Sequence, residues 1–333
     1  MGKSAITAAT ACMVFFAASS ASATPTAEDY AMTFDRVIVA GSASGSPTDS
    51  PSARIDPNTT DSPFGGVGSI TISTSGGNFR CTGAAISGLH VLTAAHCFDQ
   101  NDDGVMDANI TGITFNLNFG GNLSQQLSYS TLDMHPDFAG FDNGVHDDIA
   151  VLTLGSAIAG GVPIYDFATS VLPTGTVMTL VGYGRSGSGD GGGYTVGSSD
   201  TVKRTGQNVY DSFFLDDEGS SQREVFMYDF DAPANPTGLG NDVETTLGPG
   251  DSGGPMLVSD GLGGYLIAGV STFTTGNAPD FGSGGGGVLI NPYLDWVTAI
   301  IAPTTEVAIS EPAPLAALAL GIMFLAARRR AAH

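Results

Sequence analysis

Short runs of β-branched, aliphatic and aromatic residues recur along this chain, and most are closed by turn formers. Residues 68–73, 90–93, 113–119, 149–154, 177–181 and 265–273 are such runs, bounded mainly by Gly, Ser, Asn or Asp. That punctuation predicts strands joined by hairpins; there is no βαβ alternation and no repeat of fixed period. One helix is expected late, over residues 291–301. Asn291 can cap it, Pro292 suits its first turn, and Tyr293, Val297, Ile300 and Ile301 lie near one face. Many strands and one terminal helix predict an all-β chain of two packed antiparallel barrels. Composition agrees: glycine supplies 47 of 333 residues, and charged residues are 13% against 42% hydrophobic. That mixture disfavours both a helical bundle and wholesale disorder. Residues 185–200 are so rich in Gly and Ser that a mobile surface loop is expected.

Charge narrows the partners. Eleven Lys and Arg face 33 Asp and Glu, a net charge of -22. Such a field repels phosphate backbones and excludes nucleic-acid binding. It suits a secreted protein, a salty medium or bound cations.

The two ends read as targeting segments. Lys3, an apolar stretch over 5–18 and Ala21-Ser22-Ala23 form a secretory signal peptide, residues 1–23, for removal by signal peptidase. A lipoprotein signal ending at Cys12 is the alternative. At the other end, a linker over 303–310 leads to a tail over 311–333. There Leu315 begins 13 apolar or Gly residues, followed by Arg328, Arg329 and Arg330. Roughly 20 residues are needed to span a bilayer, so the stretch is short for a membrane helix. The tail resembles the bacterial PEP-CTERM sorting signal. Its box is Ser310-Glu311-Pro312, without the first Pro. The resemblance implies an exosortase-like sorting enzyme as partner, with a plain C-terminal membrane anchor as the alternative. Together the ends predict an exported protein of the cell envelope, cell surface or extracellular space. Of three cysteines, Cys12 leaves with the leader. Cys81 and Cys97 remain as an even pair in an oxidising compartment, the condition for one disulfide.

Three motifs carry chemistry: Thr93-Ala94-Ala95-His96-Cys97, Asp147-Asp148-Ile149-Ala150-Val151-Leu152, and Gly250-Asp251-Ser252-Gly253-Gly254-Pro255. A Ser hydroxyl is a poor nucleophile near neutral pH. A His can take its proton, and an Asp can fix that imidazole's tautomer. Together, and in this order, the motifs resemble the chymotrypsin-like (trypsin family) serine proteases. The resemblance runs over residues 55–302. It implies two six-stranded barrels with the site between them. It also implies a triad of His96, Asp148 and Ser252, and an oxyanion hole from the N–H groups of Gly250 and Ser252. A disulfide between Cys81 and Cys97 would brace the His loop. Asp148, directly before Ile149, takes the catalytic place rather than Asp147. His90, His135 and His146 read as surface or structural histidines. The family's other common cysteines are absent.

Three further expectations follow. Asp99, Asn101, Asp103, the Val105 carbonyl and Asp107 fit the start of a calcium loop, with Gly104 at the bend; the bland alternative is a solvated acidic turn. No cofactor is expected for the chemistry, and a structural Ca2+ is the one ion this loop suggests. The resemblance also implies activation by a freed N-terminus that pairs with Asp251. Ile55 after Arg54 is the favoured terminus, which makes 24–54 an N-terminal arm or pro-segment. The segment Arg36-Val37-Ile38-Val39-Ala40-Gly41 is its rival. Finally, Thr246 stands where basic-specific relatives carry Asp, and Ser271, Thr272 and Phe273 match the strand that pairs with substrate. Phe273 should make the pocket shallow and favour small or apolar side chains before the cut. The expected activity is hydrolysis of protein or peptide substrates. The alternatives are a catalytically silent binding module on the same fold and esterase-like acyl transfer at the same Ser.

Overall fold

The computed structural model describes residues 38–141 and 144–302. The expected leader (1–23), residues 24–37 of the arm, the linker 303–310 and the tail 311–333 lie outside the described residues. Among the described residues no helix is long and apolar enough to cross a membrane.

The first half holds β2 (Val67–Thr74), β3 (Gly77–Ala85), β4 (His90–Thr93), β5 (Ile110–Leu117), β6 (Gln125–Met134) and β7 (Ala150–Leu154), after the edge strand β1 (Ile55–Asp56). These six close into a barrel in the order β2-β3-β4-β7-β6-β5. Side chains alternate across each strand, so Ile70, Ile72, Phe115, Val91 and Leu152 point inward and are almost fully buried.

The second half holds β8 (Asp166–Phe167), β9 (Val177–Gly182), β10 (Ser186–Gly187), β11 (Tyr194–Val196), β12 (Lys203–Val209), β13 (Ser212–Leu215), β14 (Arg223–Asp229), β15 (Pro255–Ser259), β16 (Tyr265–Thr275) and β17 (Gly284–Leu289). Its nine-stranded sheet runs β1-β12-β9-β15-β16-β17-β14-β13, with β8 beside β16. β12 and β13 are separated by just Tyr210 and Asp211, so one bent stretch of chain pairs with β9 at one end and β14 at the other. Asn208 of β12 also donates its amide to the Asp229 carbonyl of β14 at 2.7 Å. Six strands thus wrap round a core of Met178, Leu180, Phe226, Met256 and Leu289. The expected second barrel is present, with β1 and β8 as additions.

Three local expectations change. The terminal helix starts as a 3-10 turn, Asn291–Tyr293, before α1 (Leu294–Ile301). Ile290 rather than Asn291 occupies the cap position, because the Asn291 side chain donates to the Ala168 carbonyl at 3.2 Å. Residues 185–200 are not a loose loop: β10 pairs with β11, and the Ser186 hydroxyl donates to the Ile38 carbonyl at 2.9 Å. Nor does a boundary at 55 separate an arm from the body. Ile38, Val39 and Ala40 are fully buried, and Ile38 belongs to the second core.

Candidate active site

His96 lies on the one-turn 3-10 helix Ala95–Phe98, directly after β4. Thr93 of β4 pairs with Ala150 of β7, which brings that turn against the residues leading into β7. The Asp148 carboxylate holds His96 twice. Oδ2 lies 2.6 Å from Nδ1, and Oδ1 accepts the His96 backbone N–H at 2.8 Å. Both groups are buried, at 5% and 0% exposure. With the proton held at Nδ1, Nε2 is left as the base. The Cys81–Cys97 disulfide ties the same turn to β3, as expected.

Ser252 sits on the tight turn before β15, and backbone geometry explains its glycines. Gly250 and Gly253 have φ of 104° and 81°, values that L side chains resist. A Cβ at Gly253 would run into the Thr93 hydroxyl and the Thr82 carbonyl. The turn is stitched to both barrels: Thr82 N–H donates to Ser252 O at 2.8 Å, and Gly253 N–H to Ser271 O at 2.8 Å. Asp251, Gly253 and Gly254 give their N–H groups to carbonyls; those of Gly250 and Ser252 have no acceptor among the described residues. His96 and Ser252 line one cavity of about 230 Å³ together with Gly250, Arg80 and Arg185.

Asp251 is fully buried. Its Oδ1 accepts Gly184 N–H at 3.0 Å, and its Oδ2 has no hydrogen-bond partner among the described residues. Burial pushes its carboxyl up to about 8, against the Gly184 bond and the charge of Arg204. Ile55 is not placed to be the terminus that meets it. It is 44% exposed and paired with Arg204 across β1 and β12. Arg54 ahead of it is buried on Asp49 and on the carbonyls of Asn241, Val243 and Glu244, which withholds that bond from a protease. Asp56, the next residue, pairs at 3.0 Å with Lys203, which is wholly buried.

Thr246, Ser271 and Phe273 are all buried, with Phe273 in an apolar cluster with Phe141, Val145 and Val225. A Cβ at Gly286 of β17 would run into the Phe273 ring at 2.5 Å. In the acidic loop, Asp99 accepts the N–H of Asp103 at 3.0 Å and of Gly104 at 2.7 Å. Asp107 accepts Gln100 N–H at 3.0 Å, Val105 N–H donates to Asp103 at 3.2 Å, and Asn101 donates to Asp103 at 2.9 Å. Among the described residues, no group of three His, Cys, Asp or Glu with ligand atoms within 4.8 Å includes Asp99, Asp103 or Asp107. Their carboxylates accept the loop's own amides at these distances.

One network escaped the sequence. Asp147, held at φ 57°, lies 3.1 Å from His135 and gives its N–H to Glu224 at 3.0 Å. Glu224 also takes His146 Nδ1 at 2.6 Å and the Tyr293 hydroxyl. Glu224 is 1% exposed. It lies 77 residues from Asp147, so no local pattern announces it. His135, Asp137 and Asp147 bring ligand atoms within 4.8 Å of one another, as do His146, Asp217 and Glu224. These imidazoles are already matched to carboxylates, and together they clamp the residue before Asp148.

Comparison with known proteins decides the family. The model of the family described as Trypsin matches residues 58–297. This chain belongs to the trypsin family. Among similar proteins is Trypsin iota of Drosophila melanogaster, 26% identical over 189 residues, which cover 56% of this chain and 67% of that one. Among solved structures, HL collagenase superposes with a TM-score of 0.50 at 17% identity, over 71% of this chain and 93% of its own. That likeness concerns the fold alone. Trypsin-family members are serine peptidases whose catalysis needs no cofactor.

Proposed function

We propose that this chain is an exported serine endopeptidase that cuts peptide bonds through an acyl-enzyme at Ser252. The observation that carries the reading is the bonded His96–Asp148 pair opening onto the cavity that Ser252 shares. His96 Nε2 takes the hydroxyl proton as Ser252 Oγ attacks the carbonyl carbon. The oxyanion is received by the N–H groups of Gly250 and Ser252. His96 passes its proton to the leaving amine, and water activated the same way frees the acyl group. Asp148 orients the ring and stabilises its charge without taking the proton. A buried Thr246 without a carboxylate, and Phe273 packed towards Gly286, support small or apolar side chains before the cut.

The N-terminus that activates the enzyme is freed at or beside Ile38 rather than at Ile55. Ile38 is buried, and Val39 N–H reaches the Thr246 carbonyl at 3.0 Å, on the approach to the Ser252 turn. An ammonium there would supply the counter-charge that Asp251 Oδ2 lacks. In the uncut chain, Asp251 binds its proton more tightly folded than unfolded. Its contribution is therefore complete below its ordinary 3.8 and lost as pH rises through about 8. Asp251→Asn should remove that slope. N-terminal sequencing of the active form should begin at 37 or 38; a start at 55, or retention of 24–36, rejects the assignment. Signal peptidase would remove residues 1–23, and an exosortase-like enzyme would process the tail at the cell envelope.

The test is covalent. A fluorophosphonate probe should label the activated chain and fail on Ser252→Ala. An activated chain that takes no label is instead a silent binding module on the same fold.

A further inference from the structure

We propose that Thr82, on the first barrel, is a positioning residue for the oxyanion hole: its hydroxyl holds the Gly250 carbonyl and so aims the N–H groups of Gly250 and Ser252. The proposal rests on the peptidase reading above and adds to it a residue outside the triad.

Thr82 lies in β3 beside Cys81 and is wholly buried. Each of its polar groups bonds to another segment. The hydroxyl donates to the Gly250 carbonyl at 2.8 Å and accepts the Tyr183 N–H at 3.2 Å. A carbonyl cannot donate and an amide N–H cannot accept, so both directions are forced, and the single hydroxyl proton is committed to Gly250. The Thr82 backbone N–H donates to the Ser252 carbonyl at 2.8 Å. Its own carbonyl accepts the Thr93 hydroxyl at 2.8 Å. Thr93 is the last residue of β4, and His96 follows on the next turn. One buried residue thus joins β3, the residue after β9, the strand that delivers His96 and the Ser252 turn.

The Gly250 bond matters because of the peptide it holds. In a planar trans peptide the C=O and N–H point in opposite directions. The Gly250 N–H shares a peptide with the Pro249 carbonyl, which accepts the Arg185 N–H at 2.8 Å. The Ser252 N–H shares one with the Asp251 carbonyl, which accepts the Gly254 N–H at 2.7 Å. Between these two lies the Gly250–Asp251 peptide. Its carbonyl accepts the Thr82 hydroxyl, and its N–H reaches the Gly248 carbonyl at 3.1 Å. Rotating that middle peptide turns the two oxyanion donors relative to each other. Gly250, at φ 104° and without a Cβ, offers little resistance to such a rotation. The carbonyls of Pro249, Asp251 and Ser252 are held by backbone N–H groups, which only a proline would remove. That of Gly250 is held by a side chain, which an ordinary substitution deletes. The contact is close. A Cβ at Gly253 would lie 2.4 Å from the Thr82 carbonyl, and one at Gly254 would meet the Thr82 methyl at 3.5 Å. Thr82→Val keeps that shape and loses the hydroxyl.

The test uses the activated chain and one peptide substrate. Thr82→Val should lower kcat about tenfold with KM nearly unchanged, less than the loss from deleting an oxyanion donor outright. A peptidyl chloromethyl ketone with a carbon-13 carbonyl gives the second readout. His96 Nε2 displaces its chloride, Ser252 Oγ adds to its carbonyl, and NMR titration of that carbon reports the pKa of the hemiketal hydroxyl. Thr82→Val should raise that pKa by about 1, in step with the tenfold loss. Thr82→Ser, which keeps the hydroxyl, should restore most of both. A role in folding alone would lower the melting temperature and leave the hemiketal pKa where it is. If Thr82→Val does not melt cooperatively, Thr82→Ala is read in the same way; if neither folds, Thr82 is structural and the positioning role is rejected. A folded variant with wild-type kcat, or one whose kcat falls while the hemiketal pKa stays, overturns the proposal. The peptidase reading then stands on the labelling and cutting by the wild-type chain. Failure of the wild-type chain both to take fluorophosphonate and to cut any peptide overturns that reading and this proposal with it.

Discussion

Two cavities flank the His96–Asp148 pair, and they are built in opposite ways. The front one, about 230 Å³, holds Ser252, Arg80 and Arg185 and, among the described residues, no carboxylate. The rear one, about 250 Å³, is walled by His135, Asp147, Asp216, Glu218, Glu224 and Tyr293. At the rear, imidazoles meet carboxylates inside the protein: His146 Nδ1 lies 2.6 Å from Glu224 and His135 Nδ1 lies 3.1 Å from Asp147. At the front, Arg80 and Arg185 line the cavity that His96 and Ser252 share. The difference teaches how one acidic chain separates support from chemistry. Paired charges fix a backbone segment at the rear, and the front wall holds the serine with no carboxylate among the described residues.

The largest expected break is at the front. His96→Ala or Asp148→Asn should lower kcat by about 10³-fold or more while the melting temperature moves far less. Steady-state kinetics beside a thermal melt check both halves of that statement. The rear should behave the other way. Glu224→Ala removes the buried acceptor of His146 and of the Tyr293 hydroxyl and leaves the Asp147 N–H only its 3.1 Å bond to the Tyr293 oxygen, a loss of about 3 kcal/mol. A chemical-denaturation series should show that loss with a smaller fall in kcat than any triad variant. Equal effects on kcat from Glu224→Ala and Asp148→Asn would mean the two cavities are not separable.

Protonation sharpens the contrast further. Burial first, and then the charge of Glu224, holds the Asp147 carboxyl above its ordinary range, against His135. Burial pulls His146 down, but its hydrogen bond and charge contact with Glu224 win, and the ring is held above its ordinary value. Both groups bind protons more tightly folded than unfolded. Their contributions are complete below the ordinary 3.8 and 6.5 and fade as pH climbs through the raised values. Amide exchange across β13 and β14 should therefore speed up from pH 6 to pH 8.5 beyond its intrinsic rise, and His146→Phe should remove the excess. An excess that persists in that variant would place the titrating group elsewhere.

The smallest expected effect concerns the acidic loop after His96. Asp99 and Asp107 close on the loop's own amides, so EDTA should shift the melting temperature by less than about 1 °C. A clear fall in the melt on chelation would show that the carboxylates rearrange round a cation.

Much of the site was legible because its signals are local. Glycines at 250 and 253 mark a turn whose φ values exclude other residues. His96 beside Cys97, and Asp148 directly before Ile149, stand in motifs a few residues long. Strand runs closed by turn formers foretold both barrels. Misplaced expectations share one cause. Ile55 read as a terminus because Arg54 precedes it, yet Arg54 is buried on Asp49 and on carbonyls about 190 residues away. The loop over 99–107 has the alternation of a calcium site, and its carboxylates also accept amides within the loop.

What the amino-acid order determined by itself has short-range causes: the three motifs that hold His96, Asp148 and Ser252, the cysteine pair, the alternation that makes strands. What the tertiary structure alone decided is who meets whom across long separations. Glu224 reaches Asp147 from 77 residues away, and Arg185 joins Arg80, Ser252 and His96 in one cleft. Sterics and turn geometry act over a few bonds and can be read in a line. Burial, pairing and local field depend on packing, which brings distant segments together only once the barrels have closed.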